Sequence, residues 1–210
     1  MKIDKTKNAV SIFNKYAKEY AGKFMDVSMY AASFDFFCEA IKSQNAEVLE
    51  LACGPGNITK HLLNQRPDFK LLGLDLAPNM VDLAKENNPS AQFKVMDCRD
   101  ILILNKKFDA IMCGFCLPYL SQEETTQLIK DSAILLNTNG LIYLSTMEDD
   151  YEKSGFKKGS KGDEIFMHYY KEDFLSKIFA ENGFTILKTE RIYSQMLEET
   201  VTDLVIIAKK

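Results

Sequence analysis

The stretch Val48-Leu49-Glu50-Leu51-Ala52-Cys53-Gly54-Pro55-Gly56-Asn57 carries an apolar segment into a turn of small residues and on into a helix. Small residues at such a turn let a ligand approach the backbone, and the free amides at the start of the helix face it. On its own, an ordinary tight strand-to-helix turn explains Gly54 and Gly56 equally well. The surrounding chain has to choose between the two readings.

Working outward, strand-length apolar runs recur at 71–74, 93–96, 110–113 and 141–144, several without polar alternation. That pattern predicts strands buried on both faces, hence a largely parallel sheet. Between them, 57–64 repeats Ile58, Leu62 and Leu63, and 78–86 repeats Met80, Val81, Leu83 and Ala84 behind Pro78, a proline suited to a first helical turn. Ser121 and Glu124 form a capping box opening a helix through Leu128, Ile129, Leu135 and Leu136, with Asn139-Gly140 as its expected end. Strand and helix alternating at this pace give βαβ units with right-handed crossovers. Residues 8–44 read as two aromatic-rich helices, 148–164 as a mobile loop or short hairpin, and 171–182 as a last helix. Two β-rich runs, 184–193 and 201–208, are close enough for an antiparallel hairpin at the sheet edge.

Composition excludes other classes. A chain of 210 residues with 46% hydrophobic and 27% charged residues is globular in balance and needs no disulfide or metal to hold its core. No window reaches the length of a membrane helix, and residues 1–5 lack the apolar core of a signal peptide, so no membrane association and a cytoplasmic location are expected. Five cysteines read as reduced thiols, and a net charge of −4 disfavours nucleic acid as a partner.

Three carboxylates turn the glycine turn into a ligand reading. Asp75 closes the second apolar run 25 residues past Glu50, and Asp97 closes the third 22 residues further on. In a parallel sheet the ligand crevice lies outside the carboxyl ends of the strands, so all three should line one rim. Asp75 can accept from both hydroxyls of a ribose, Asp97 from an adenine amino group, and Glu50 can face a cationic amino acid end. A dinucleotide fingerprint fits worse, because Thr59 stands where it wants a third glycine, and no phosphate-binding Gly-Lys-Ser/Thr occurs.

With these residues in place, the chain resembles the class I S-adenosylmethionine-dependent methyltransferases in their small, single-domain, small-molecule form. Glu50-Leu51-Ala52-Cys53-Gly54-Pro55-Gly56 is similar to the family's first motif, whose backbone cradles the methionine part. Leu74 to Met80 is similar to the second, so the resemblance implies that Asp75 takes the ribose diol while Leu76 and Met80 flank the adenine. Met96-Asp97-Cys98 is similar to the third, with Asp97 at the adenine amino group and the Cys98 amide at a ring nitrogen. Phe108 to Gly114 matches the fourth strand, where a carbonyl near Cys113 meets the ligand's ammonium. Leu136-Asn137-Thr138-Asn139-Gly140 is similar to the step before the fifth strand but lacks its proline. The implied fold is α/β: a doubly wound, mostly parallel seven-stranded Rossmann-like sheet with an antiparallel C-terminal hairpin strand and an N-terminal helical cover. One domain over 1–210 is expected, divided into a cover at 1–45, a cofactor-binding core at 46–147, a mobile loop or hairpin at 148–170 and a C-terminal helix and hairpin at 171–210.

The implied cofactor is S-adenosylmethionine, leaving as S-adenosylhomocysteine, and no metal is expected. Tyr16 and Tyr20 either pack the core at helical spacing or close over the cofactor with a hydroxyl at its carboxylate. A sulfonium methyl is already activated, so a base is needed only if the acceptor must lose a proton. Tyr119, Asp149, His168 and Tyr169 are the candidates, although His168 reads equally as a solvated histidine at a helix start. His61 reads as a surface residue, Lys157, Lys158 and Lys161 as a solvated loop, and Cys113 with Cys116 as core thiols rather than a redox or zinc pair. The expected partner is a small-molecule methyl acceptor. The competing readings are a methyltransferase acting on protein or tRNA, a non-catalytic S-adenosylmethionine-binding protein and a nicotinamide-dependent oxidoreductase.

Overall fold

Successive residues of the central strands point to opposite faces, and here both faces are apolar, so no polar alternation marks them. The computed structural model describes residues 5–159, 161–196 and 199–210, and the expectation drawn from residues 1–4 lies outside them. The chain opens with α1 (Lys5–Lys15), α2 (Ala17–Phe24) and α3 (Ala31–Ala40). It continues through β1 (Glu47–Leu51), α4 (Asn57–Gln65), β2 (Lys70–Asp75), α5 (Pro78–Asn87), β3 (Gln92–Val95) and β4 (Phe108–Gly114). Next come α6 (Gln122–Leu135), β5 (Leu136–Met147), and the small strands β6 (Gly155–Lys158) and β7 (Glu164–Met167). It closes with α7 (Glu172–Glu181), β8 (Thr185–Met196) and β9 (Glu199–Lys209).

Seven strands form one sheet in the order β3-β2-β1-β4-β5-β9-β8. β1 runs parallel to both β2 and β4, and β4 parallel to β5, whereas β9 runs antiparallel to β5 and to β8. The direction of winding reverses between β1 and β4, which is where an open α/β sheet leaves a crevice at its carboxyl edge. Leu49, Leu51, Ile111 and Leu144 pack on the α6–α7 side. Val48, Ala110, Met112 and Tyr143 pack with Phe34 and Phe37 of α3 on the other. Burying each such side chain contributes about 1.5–3 kcal/mol, which anchors the strand tips that shape the crevice. Among the described residues, no helix is long and apolar enough to cross a membrane.

Two expectations change, and of the two alternatives for 148–170 the structure shows the hairpin. The N-terminal cover has three α-helices and a short 3-10 turn, Ser28–Tyr30, instead of two helices. The backbone leaves helical geometry at Tyr16 (φ −109°, ψ 22°), and Asp26 Oδ1 accepts the Ser28 amide at 2.9 Å in a tight turn. Helix α6 stops at Leu135, well before Asn139-Gly140, because Leu136 is already extended and pairs with Phe108 across the sheet. Residues 148–170 contain an antiparallel two-stranded hairpin, β6–β7, separate from the main sheet. The Ser121–Glu124 capping box forms as read.

Candidate active site

The turn after β1 is pinned from the neighbouring strand. The Cys53 amide donates to the Leu74 carbonyl at 2.8 Å, and the Gly54 amide to Asp75 Oδ2 at 2.9 Å. Asp75 Oδ1 accepts the Ala77 amide at 2.8 Å, so this carboxylate also starts α5. A carboxylate has about four acceptor positions, and these two bonds leave capacity facing the cavity that Asp75 lines. Burial raises the Asp75 pKa, with the backbone amides opposing. A ligand that donates to Asp75 would relieve that penalty.

The two glycines of the turn do different work. Both have positive φ, +53° at Gly54 and +79° at Gly56. A Cβ on Gly56 would sit 2.3 Å from Asn88 Nδ2 and 3.2 Å from the Ala84 backbone, so Gly56 lets α4 and α5 meet. A Cβ on Gly54 would meet only the Tyr20 ring, at 3.9 Å, across the cavity. Gly56 therefore serves packing, and Gly54 keeps the backbone open.

Around Asp75 lies a narrow cavity of about 130 Å³. Its floor is Ala52, Gly54, Leu76, Met80, Asp97 and Cys98, and its roof is Ala9, Val10 and Phe13 of α1 with Tyr20 of α2. Gly114, Phe115, Cys116 and Tyr119 close the end beyond β4. Phe115, which lines this end, has φ +53°, held by its amide donating to the Ser145 carbonyl at 3.1 Å, and its ring meets that of Tyr30 with centroids 5.3 Å apart. Small-molecule sites run to roughly 300–1,000 Å³, so the roof must shift to admit a nucleoside.

Asp97 borders the cavity with its carboxylate already engaged. Its carboxylate accepts from the Arg99 amide at 2.9 Å and from the Arg99 guanidinium at 2.6 Å. Burial pushes its pKa up, yet the Arg99 hydrogen bonds and charge outweigh burial and leave it below the ordinary value. Arg99 also donates to Glu124 at 2.6 Å, coupling Asp97 to the cap of α6.

Of the sequence-predicted residues, Ala52, Gly54, Asp75, Leu76, Met80, Asp97, Cys98, Tyr20 and Tyr119 meet at this cavity. Tyr16 does not, because its hydroxyl donates to Asp163 Oδ2 at 2.7 Å on the far side of α1. Glu50 is 1% exposed and lies beneath the turn. Thr59 Oγ1 donates to its Oε2, while Oε1 has no partner, and burial pushes its pKa up to about 8. Cys53, Gly56 and Cys113 are buried off the cavity wall, with Gly114 and Phe115 standing where Cys113 was expected.

The base candidates are largely displaced as well. His168 is 7% exposed, stacked against Tyr151 with ring centroids 5.6 Å apart, its amide donating to the Pro118 carbonyl. Burial, then Lys5, lowers its pKa, so it is a neutral core imidazole rather than a solvated one. Asp149 is paired with Lys153 at 2.8 Å, and the Tyr169 amide donates to Ser154 Oγ on the hairpin side. Tyr20 lines the cavity with its pKa pushed up to about 12 by burial and the Asp75 charge. Burial, then the Tyr20 charge, raises Tyr119 further. Both hydroxyls therefore stay protonated at neutral pH.

One other reading is corrected, that of His61, and the reading of the cysteines as reduced core thiols holds. His61 is half-buried, its Nε2 2.8 Å from Asp35 Oδ1. Cys98 and Cys116 lie with sulfurs 3.5 Å apart, all five cysteines are free and buried, and the Cys116 contact and burial hold the Cys98 thiol protonated. Sequence reasoning missed Phe13, Phe115 and Arg99. Arg99 had a signal in its position two residues past Asp97, while Phe13 was one aromatic among many in the cover.

Known proteins agree with this architecture. A methyltransferase-domain family profile matches residues 48–140. A putative methyltransferase of invertebrate iridescent virus 6 is 32% identical over 97 residues, 46% of this chain and 36% of its own. The malonyl-[acyl-carrier protein] O-methyltransferase of Acetivibrio thermocellus is 24% identical over 162 residues, 73% of this chain and 56% of its own. The chain thus spans from about a third to just over half the length of these curated relatives. In fold it is similar to the magnesium protoporphyrin IX methyltransferase of Synechocystis PCC 6803 solved with bound S-adenosylhomocysteine. That likeness has a TM-score of 0.75 at 16% identity and covers 98% of this chain and 99% of the other. The acid-tipped strand ends, the reversed last strand pair and the matched core all agree: residues 48–140 carry a methyltransferase domain, and the chain has the fold of the class I S-adenosylmethionine-dependent methyltransferases.

Proposed function

We propose that this chain transfers the methyl group of S-adenosylmethionine to a small organic molecule. The observation that carries the reading is Asp75: a half-buried carboxylate fixed by two backbone amides, with acceptor capacity left over in a cavity that, among the described residues, is lined by no cation. A ribose diol satisfies it without adding charge. Leu76 and Met80 supply apolar walls for the adenine, the turn at Gly54 lets the methionine part approach the backbone, and Asp97, oriented by Arg99, borders the adenine end.

When bound, S-adenosylmethionine supplies a methyl on a sulfonium that is already an activated leaving group. The protein's own contribution is to orient both reactants and keep water out. Phe13, Tyr20, Phe115 and Tyr119 line the roof and the closed end of the cavity, and the two tyrosines, protonated at neutral pH, are available there as hydrogen-bond donors. A small acceptor is supported by this enclosed aromatic end and by the structural relative named for magnesium protoporphyrin IX.

Calorimetry with S-adenosylmethionine, S-adenosylhomocysteine and NADH tests the reading. The two adenosyl compounds should bind and NADH should not, because Thr59 and the Asp97 rim suit no dinucleotide. Comparable NADH affinity would favour an oxidoreductase. Binding without S-adenosylhomocysteine release across an acceptor panel would favour a non-catalytic binder.

A further inference from the structure

Beyond the roof of the cavity lies a second groove that no assigned role explains. It is walled by the same Phe13 and Tyr20 and by Phe24, Ile165, Lys23 and Lys161. Phe24 is 46% exposed although it ends a helix whose neighbouring ring, Tyr20, is only 4.6 Å away. Leaving a phenylalanine ring in water beside an apolar groove forfeits burial that a ligand could restore. Lys23 and Lys161 have no ion-pair partner among the described residues. Of the acids nearby, Asp163 is already bound by Tyr16 and Lys15, which leaves the two lysines facing Glu19 alone and one positive charge in excess.

We propose that this groove is the methyl-acceptor site and that it takes a small organic acid with an apolar body. The proposal rests on the methyltransferase reading above and adds to it the place and the chemical class of the acceptor. The Phe13 and Tyr20 rings, 5.7 Å apart and edge to face, line both the cavity and the groove, so the two sites meet at these side chains. The residues at this junction also suit an acid. Tyr20 and Tyr119 stay protonated at neutral pH, and His168 is buried away from the cavity, so none of these three serves as the base that an acceptor needing deprotonation requires. A carboxylate needs none: its oxygen forms the bond to the methyl carbon as the carbon–sulfur electron pair returns to sulfur. The anion and the sulfonium become a neutral ester and a neutral thioether, and no proton leaves.

The test is binding as well as turnover. Wild-type protein saturated with S-adenosylhomocysteine is titrated with anilinonaphthalene sulfonate, an apolar aromatic anion, and the probe is then displaced by trans-cinnamate, octanoate or the neutral cinnamamide. The acids should displace it and the amide should not. The double variant Lys23→Glu, Lys161→Glu and the single variant Phe24→Asp should each weaken the acids by roughly tenfold or more. Affinity for S-adenosylhomocysteine and the melting temperature should stay at wild-type values in both. Equal displacement by acid and amide, or unchanged acid affinity in the charge-reversed variant, overturns the acceptor proposal while leaving the cofactor reading intact. Failure of wild-type protein to bind S-adenosylhomocysteine is a separate result that removes the cofactor reading, and the acceptor proposal with it.

Discussion

The floor and the roof of the cavity are built on different principles. The floor is held by backbone: strand tips fixed by the sheet ladder, and amides of Cys53, Gly54 and Ala77 bonded across from β1 to β2 and its turn. The roof is held by side chains. Asn8 donates to the Glu164 carbonyl at 2.7 Å, Tyr16 to Asp163, and Asn14 Oδ1 accepts the Asn79 amide at 2.8 Å. In α1 only Ala9 is buried, and in α2 only Ala17. Few buried apolar contacts and exposed polar ties put a segment at the low end of local stability. The contrast fits the proposed function, in which a preformed floor would recognise the nucleoside and a roof would open to admit it and then exclude water.

Asp75→Ala tests the floor most severely. It removes an ionised acceptor from both ribose hydroxyls, a loss of about 3 kcal/mol or more, which is over roughly a hundredfold in affinity. It also orphans the Gly54 and Ala77 amides, so the melting temperature should fall with it. Affinity for S-adenosylhomocysteine that survives this change refutes the ribose assignment.

The two glycines separate stability from binding within one turn. Gly56→Ala drives a methyl into Asn88 and Ala84 at positive φ and should cost about 2–3 kcal/mol of stability. The folded fraction should bind S-adenosylhomocysteine normally. Gly54→Ala meets only ordinary contact with Tyr20, so calorimetry should show affinity falling while the melting temperature falls less.

Glu50 adds a pH dependence to the floor. Its folded pKa, raised to about 8 by burial from the ordinary 4.5, means the folded state holds a proton that the unfolded state releases across that interval. The group therefore favours folding at low pH, and stability declines as pH rises from about 4.5 to about 8, by at most ~1.4 kcal/mol per unit. Urea unfolding of wild type and Glu50→Gln at pH 5, 6, 7 and 8 should show a wild-type decline that the variant lacks. Parallel curves would mean that Glu50 stays ionised beneath the turn.

The floor was legible in the sequence because parallel strands end on one side of the sheet, so an acid at each tip, Asp75 and Asp97, had to share a rim. What separates Gly54 from Gly56 was hidden, since Asn88 is far along the chain and only folding brings it to the turn. The roof was harder to read. Tyr16 and Tyr20 are four residues apart and would share a face of one helix, but the break at Tyr16 sends one to Asp163 and the other to the cavity. His168 was misread for a related reason: the tie from its amide to Pro118 joins two loops that no local pattern connects. Arg99 shows the opposite case, a local i, i+2 partner of Asp97 whose signal stands in the sequence beside the acid it supports.

The gentlest test addresses the roof alone. Helix α1 and the β6–β7 hairpin are joined by Asn8–Glu164, Tyr16–Asp163 and Lys5, whose ammonium lies 3.3 Å from the Phe166 ring centroid. If these ties make the two segments one moving part, loosening either end should loosen both. Tyr16→Phe removes one hydrogen bond at a partly exposed position and should leave the melting temperature near wild type. Hydrogen exchange should nevertheless rise a few-fold in α1 and β7 together, with β1 and β2 unchanged, and saturating S-adenosylhomocysteine should suppress the rise. Exchange that rises in α1 while β7 stays protected would show two independent flaps. The acceptor groove between them would then be an accident of one closed arrangement instead of a site assembled when the roof comes down.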